Sequence, residues 1–223
     1  VAGDPVTGAA ALAAAAAALG LALATPFALE RLRRPVSEAE RRAAGGAVAR
    51  LPRGATWYRW HGPARGPVAV CIHGLTTPSW VWDGIVPHLV ALGYRVLTYD
   101  LWGRGLSDCP AGVQDRAFFL EQLDGVLDAA GAGDGLVLVG YSMGAQIATA
   151  WAAAHPERVL RLVLLAPSGL APPRGAGLAE RLPLVGGALA LVLGRRFLRA
   201  SAAAAAAAPG APPHLAARLG AEA

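Results

Sequence analysis

Residues 140–144 read Gly-Tyr-Ser-Met-Gly, a serine with a glycine two positions away on either side. A serine in such a setting can act as a nucleophile. Its hydroxyl attacks a carbonyl carbon, a covalent intermediate forms, and one difficult step becomes two easier ones. That chemistry needs three further things: a turn that lifts the hydroxyl clear of the backbone, donors for the developing oxyanion, and a base, oriented by an acid, to take the proton.

The flanking sequence supplies the turn. Residues 135–140, Gly-Leu-Val-Leu-Val-Gly, form a short apolar run with the signature of a strand buried on both faces. Residues 143–156 have helical character and end at His155-Pro156. Ser142 therefore falls at a strand-to-helix junction, where a sharp, strained turn exposes the hydroxyl. Gly140, Gly144 and Ala145 are small because larger side chains would collide with the neighbouring strand and helix. The helix start behind Ser142 aims free N–H groups and a positive dipole end at the reacting centre.

The same alternation runs through much of the chain. Strands are expected at 56–62, 67–74, 94–100, 135–140 and 158–167, and helices at 79–93, 114–131 and 143–156, with Pro87 marking a kink or a late helix start in the first of these. Strands of this length separated by helices imply an α/β fold with a doubly wound, mostly parallel sheet. Four segments follow: a hydrophobic stretch at 1–29, an Arg-rich helical linker at 30–50, the α/β core at 51–169, and a helical cap or lid at 170–223. In the linker, Ser37 and Glu40 form a capping box and Gly45-Gly46 ends the helix.

Two further motifs accompany the serine. Ile72-His73-Gly74-Leu75 ends the strand expected from residue 67, and Asp100-Leu-Trp-Gly-Arg-Gly-Leu-Ser-Asp108 follows the next. With Gly140–Gly144 in the third position, this order resembles the α/β-hydrolase superfamily, in its serine-nucleophile, esterase- and monoacylglycerol-lipase-like branch. The resemblance covers about residues 56–170. It implies an oxyanion hole built from the backbone N–H groups of Met143 and Leu75, with His73, Gly74, Gly140 and Gly144 supporting the site. It also argues against epoxide hydrolases and haloalkane dehalogenases, which carry Asp where this chain has Ser142. No cofactor and no metal is implied.

The resemblance further implies an acid and then a histidine downstream of Ser142, and neither is found. His155 stands at the far end of the helix that begins at the serine, about 18 Å away at 1.5 Å per residue. His214 follows a Pro-rich break with no strand before it. Of the upstream histidines, His73 reads as structural, and His61 and His88 sit at a strand end and on the following helix. Glu157, Glu180 and Glu222 follow no expected strand, and position 168, an alternative acid site in parts of the superfamily, is Ser168. The expectation is a chain interrupted before its last strands, nearly inactive as it stands, with about a hundred further residues carrying the acid and the base.

Composition narrows the partners. All 20 basic residues are Arg and the formal charge is +5, but the arginines form no stripe interleaved with aromatics, so nucleic acid is not an expected partner. Cys71 reads as a small buried hydrophobe, and two cysteines make no disulfide framework. Residues 9–29 carry no charge and are long enough to span a bilayer core. Three readings of them stand: a membrane anchor with the catalytic part held in the cytoplasm by the arginines that follow, a cleaved signal peptide of an exported protein, or an Ala-rich soluble helix.

The expected function is hydrolysis of carboxylic esters of apolar, lipid-like small molecules through Ser142 and an acyl-enzyme. The same scaffold hosts carbon–carbon bond hydrolases, cofactor-free haloperoxidases and acyltransferases, and a non-catalytic, membrane-tethered module is a third reading.

Overall fold

A computed structural model describes residues 5–32, 34–170 and scattered positions between 186 and 207. The chain divides into two compact units, Val1–Arg34 with Pro173–Ala223, and Pro35–Pro172.

The first unit contains a long helix, α1 (Pro5–Arg31). Among the described residues no helix is long and apolar enough to cross a membrane. The expected cap at 170–223 lies mostly outside the described residues.

The second unit opens with α2 (Glu38–Ala44). Its Ser37–Glu40 capping box forms as the sequence predicts, and Gly45 ends it with φ 71°. A six-stranded sheet follows: β1 (Ala47–Arg50), β2 (Ala55–His61), β3 (Val68–Ile72), β4 (Arg95–Tyr99), β5 (Leu136–Tyr141) and β6 (Val159–Leu165), in the spatial order β1-β2-β4-β3-β5-β6. β4, β3, β5 and β6 run parallel, and β1 and β2 add antiparallel at one side. The helix of the expected linker ends at Gly45-Gly46 as read, and the last four linker residues form β1, a strand that was not expected. Its four residues, Ala-Val-Ala-Arg, carry little strand signal of their own, and pairing of Ala47–Arg50 with Tyr58–Ala55 makes them a strand.

Successive strand residues alternate between two cores, as the pleat requires. Val70, Ile72, Leu97, Leu136 and Leu138 face α4 (Arg116–Ala130) and α5 (Met143–Ala154), packing with Phe118, Leu123, Leu127, Ile147 and Trp151. Ala69, Cys71, Val96, Val137 and Val139 face the other side and pack with Trp82 and Val86. The expected helix at 79–93 is a 3-10 turn, Ser79–Gly84, followed by α3 (Val86–Ala91) with Pro87 in its first turn, where a missing N–H costs nothing. α4 is capped by Asp115, which accepts from the Phe118 N–H, and it ends at Gly131 in the left-handed region.

β6 departs from the pattern of the other parallel strands. Leu160, Leu162, Val163 and Leu164 are all exposed, and among the described strands β6 pairs only with β5.

Candidate active site

Ser142 sits between β5 and α5 with φ 53° and ψ −116°, a conformation in which a non-glycine residue is strained. Three backbone hydrogen bonds hold it there. Its N–H donates to the Leu165 carbonyl at 3.0 Å, and its carbonyl accepts from Ala145 at 3.1 Å and Ser168 at 3.3 Å. The ends of β5 and β6 and the first turn of α5 thus converge on one residue. Gly140 and Gly144 are small for the expected reason. A Cβ on Gly140 would lie 2.6 Å from the Ala145 Cα, and one on Gly144 would overlap the Ile72 carbonyl oxygen.

The loop after β3 closes over the serine. A Cβ on Gly74 would lie 3.2 Å from the Ser142 Cβ, so Gly74 and Ser142 are direct neighbours. His73 fixes this loop from below. It is fully buried; the Leu101 N–H donates to its Nε2 at 2.9 Å, and its Nδ1 lies 2.8 Å from the Gly74 carbonyl. Since Nε2 accepts, the ring proton must be on Nδ1, donated to Gly74. Burial pushes the imidazole pKa down to about 4, against the opposing pull of Asp100. His73 is therefore a neutral tether between the loops after β3 and β4, and its lone pair is not available to Ser142. The N–H groups of Leu75 and Met143 have no hydrogen-bond partner among the described residues. Leu75 is exposed.

Asp100 organises the loop after β4 and is buried. Its two carboxylate oxygens accept from the Ser79 and Leu106 N–H groups, each at 2.8 Å, and its carbonyl accepts from the Ser107 hydroxyl and the Gln122 amide. A Cβ on Gly105 would overlap the Asp100 carboxylate, so Gly105 with φ 53° leaves room for it. Gln122 on α4 is also fully buried and receives the Trp102 N–H at 2.9 Å. Asp108 closes the loop by accepting from the Ala55 N–H and pairing with Arg41. Arg41 does not belong to a solvated charged face, as its sequence neighbours suggest. It is buried, and it also donates to the Leu106 carbonyl. Sequence reading missed the roles of Gln122 and Arg41. A lone amide on a helix and one arginine among five give no local signal of a partner about 65 residues away.

The histidines remain dispersed. His61 Nε2 lies 2.9 Å from the Thr98 hydroxyl, and burial, then Arg59, lowers its pKa. His155 stacks on Trp151 at the far end of α5, 3.5 Å from Asp124. Glu157 is exposed in the turn after it. Ser168 does come close to the site: its hydroxyl accepts from Gln146 at 3.0 Å while its N–H holds Ser142. His214, Glu180 and Glu222 lie outside the described residues. Among the described residues the Ser142 hydroxyl makes no hydrogen bond.

Residues 67–185 match the family model described as "alpha/beta hydrolase fold". The chain is 38% identical over 122 residues to a 2-hydroxymuconate semialdehyde hydrolase from Pseudomonas sp. (strain CF600), covering 53% of this chain and 42% of that one. It is 38% identical over 91 residues to a haloalkane dehalogenase from Sphingobium indicum, covering 39% of this chain and 30% of the relative. The chain thus spans less than half the length of these curated relatives. Among solved structures, a hydrolase from Pseudomonas aeruginosa PA01 superposes with a TM-score of 0.62 at 23% identity, over 81% of this chain and 67% of that one, a likeness of fold.

Proposed function

Because this chain belongs to the α/β-hydrolase fold family, we propose that Ser142 is the nucleophile of a serine hydrolase that cleaves a carboxylic ester of a small, largely apolar molecule. The observation that carries this reading is the strained Ser142 conformation, held by β5, β6 and α5 with Gly74 directly alongside. Strain of this kind persists only where the surroundings enforce it, and it gathers at reacting residues.

In this reading Ser142 Oγ attacks the ester carbonyl and its proton passes to a histidine base. That base and the acid orienting it lie outside the described residues. The tetrahedral oxyanion sits between the N–H groups of Met143 and Leu75, which have no other described partner. Collapse expels the alcohol, and water then hydrolyses the acyl-enzyme. Removing one such donor costs about 10²–10³ in turnover, so Leu75→Pro, which deletes the N–H, should lower kcat by about that factor.

A fluorophosphonate probe tests the nucleophile. The complete gene product should be labelled, and Ser142→Ala should not. Absence of labelling in the native protein would leave a non-catalytic module as the reading. A second chemistry is favoured by the likeness to the 2-hydroxymuconate semialdehyde hydrolase: carbon–carbon bond hydrolysis with the same serine. Turnover of vinylogous diketones in preference to esters would establish it. The likeness to a haloalkane dehalogenase is not carried over, since the elbow residue here is Ser142 rather than the Asp expected of that chemistry.

A further inference from the structure

Arg104 is a half-buried cation with no carboxylate beside it among the described residues. It stands in the loop after β4. Its Nη1 donates to the Trp102 carbonyl and to the Gln114 side chain, both at 2.7 Å, and its Nε points to the Leu75 carbonyl at 3.4 Å. The guanidinium carbon lies 5.5 Å from the centre of the Phe119 ring. No carboxylate among the described residues pairs with Arg104. The two acids of its own loop are engaged elsewhere, Asp100 with the Ser79 and Leu106 N–H groups and Asp108 with Arg41 and Ala55. Burial draws the guanidinium below its usual pKa, with Cys109 opposing.

Partial burial of a charge that meets only neutral acceptors is costly, because carbonyl oxygens and an aromatic face replace its hydration incompletely. Two of its three nitrogens are aimed at fixed acceptors, which holds the plane still. Nη2 has no partner among the described residues. Arg104 also touches the residue whose N–H, in the proposed reaction, faces the oxyanion. A rigid guanidinium with one free nitrogen is suited to an anionic oxygen. The carbonyls of Leu75 and Trp102 beside it would repel a doubly charged phosphate more strongly than a singly charged carboxylate.

We propose that Arg104 receives a carboxylate carried by the substrate, so that the preferred ester is one whose far end is a free acid, such as a monoester of a dicarboxylic acid. This rests on the reading of Ser142 as nucleophile, which locates Leu75 at the reacting carbonyl. A purely structural Arg104, pinning the Leu75 carbonyl, would support both charged and neutral esters equally.

The test is binding to the complete protein carrying Ser142→Ala, so that nothing turns over. Titration calorimetry compares monomethyl glutarate with dimethyl glutarate, which lacks the charge. With Arg104 present the monoester should bind about ten to a hundred times tighter, as expected for a hydrogen bond to a charged group. Arg104→Met should abolish that preference while leaving the diester Kd unchanged, and Arg104→Lys should retain part of it. Equal binding of the two probes with Arg104 present, or equal weakening of both in Arg104→Met, would overturn the proposal. Fluorophosphonate labelling of the protein with Ser142 intact separates the two readings. Labelling without a monoester preference removes only the role of Arg104, and a preference without labelling removes only the nucleophile.

Discussion

Ser142 has two unlike flanks. Toward β3 and β4 a network of polar groups is buried and paired. His73 joins Leu101 to Gly74, Asp100 receives two backbone N–H groups, and Gln122 holds the Trp102 amide. Toward β6 the backbone is paired with β5, but Leu160, Leu162, Val163 and Leu164 are exposed. The open flank is where the superfamily resemblance leads one to expect the acid and the base, and the described residues supply neither. In the proposed reaction the oxyanion donors, the N–H groups of Leu75 and Met143, are among the described residues, whereas an acid and a base for Ser142 are not.

The largest effect should come where the two flanks meet. Gly144 lies under the elbow, and any Cβ there overlaps the Ile72 carbonyl oxygen and crowds that of His73. Backbone atoms cannot rotate away, so α5 would have to separate from β3. Gly144→Val should cost about 4 kcal/mol or more in urea denaturation, within the range reserved for core overpacking and backbone strain. It should also abolish fluorophosphonate labelling. A loss below about 1 kcal/mol would mean that the elbow is not clamped between β3 and β5.

A smaller effect sharpens the account of the buried flank. His73 is neutral when folded with a pKa of about 4, against 6.5 in an exposed chain. A lowered folded-state pKa gives stability that is present above pH 6.5 and is lost as the pH falls toward 4. Between pH 7 and pH 5 this one group should remove about 2 kcal/mol. His73→Asn lacks the titration, so its stability should change less than that of the native protein over the same interval. Equal slopes would mean that the His73 site is open to water or that its proton is placed otherwise.

The sequence revealed these features unevenly. The elbow was legible because strand, serine, glycines and helix are contiguous, and the same holds for the Ser37–Glu40 capping box. His73 was legible as structural from its place after β3, but not its tautomer, which depends on an N–H 28 residues away. β1 was missed because its pairing partner, not its composition, makes it a strand. Arg41 reads as one of a charged cluster until the fold brings Asp108 beside it, 67 residues along the chain. Contiguous signals survive in a sequence, whereas contacts closed by topology do not.

The smallest predicted effect concerns the open flank. Leu162 is 37% exposed on β6, opposite Leu138 of β5, which is fully buried. A leucine already that accessible loses little on becoming polar, so Leu162→Gln should cost under about 1 kcal/mol in the same denaturation assay. The contrast with Gly144→Val is then at least fourfold, and the two flanks differ energetically as they do in burial. A cost above about 2 kcal/mol would break the comparison. That is the cost of removing a covered leucine, and it would mean that in solution β6 packs against something that shields Leu162 from water. The same measurement on Leu138→Gln sets the scale, because that side chain has no exposure left to lose and its new amide would have no partner.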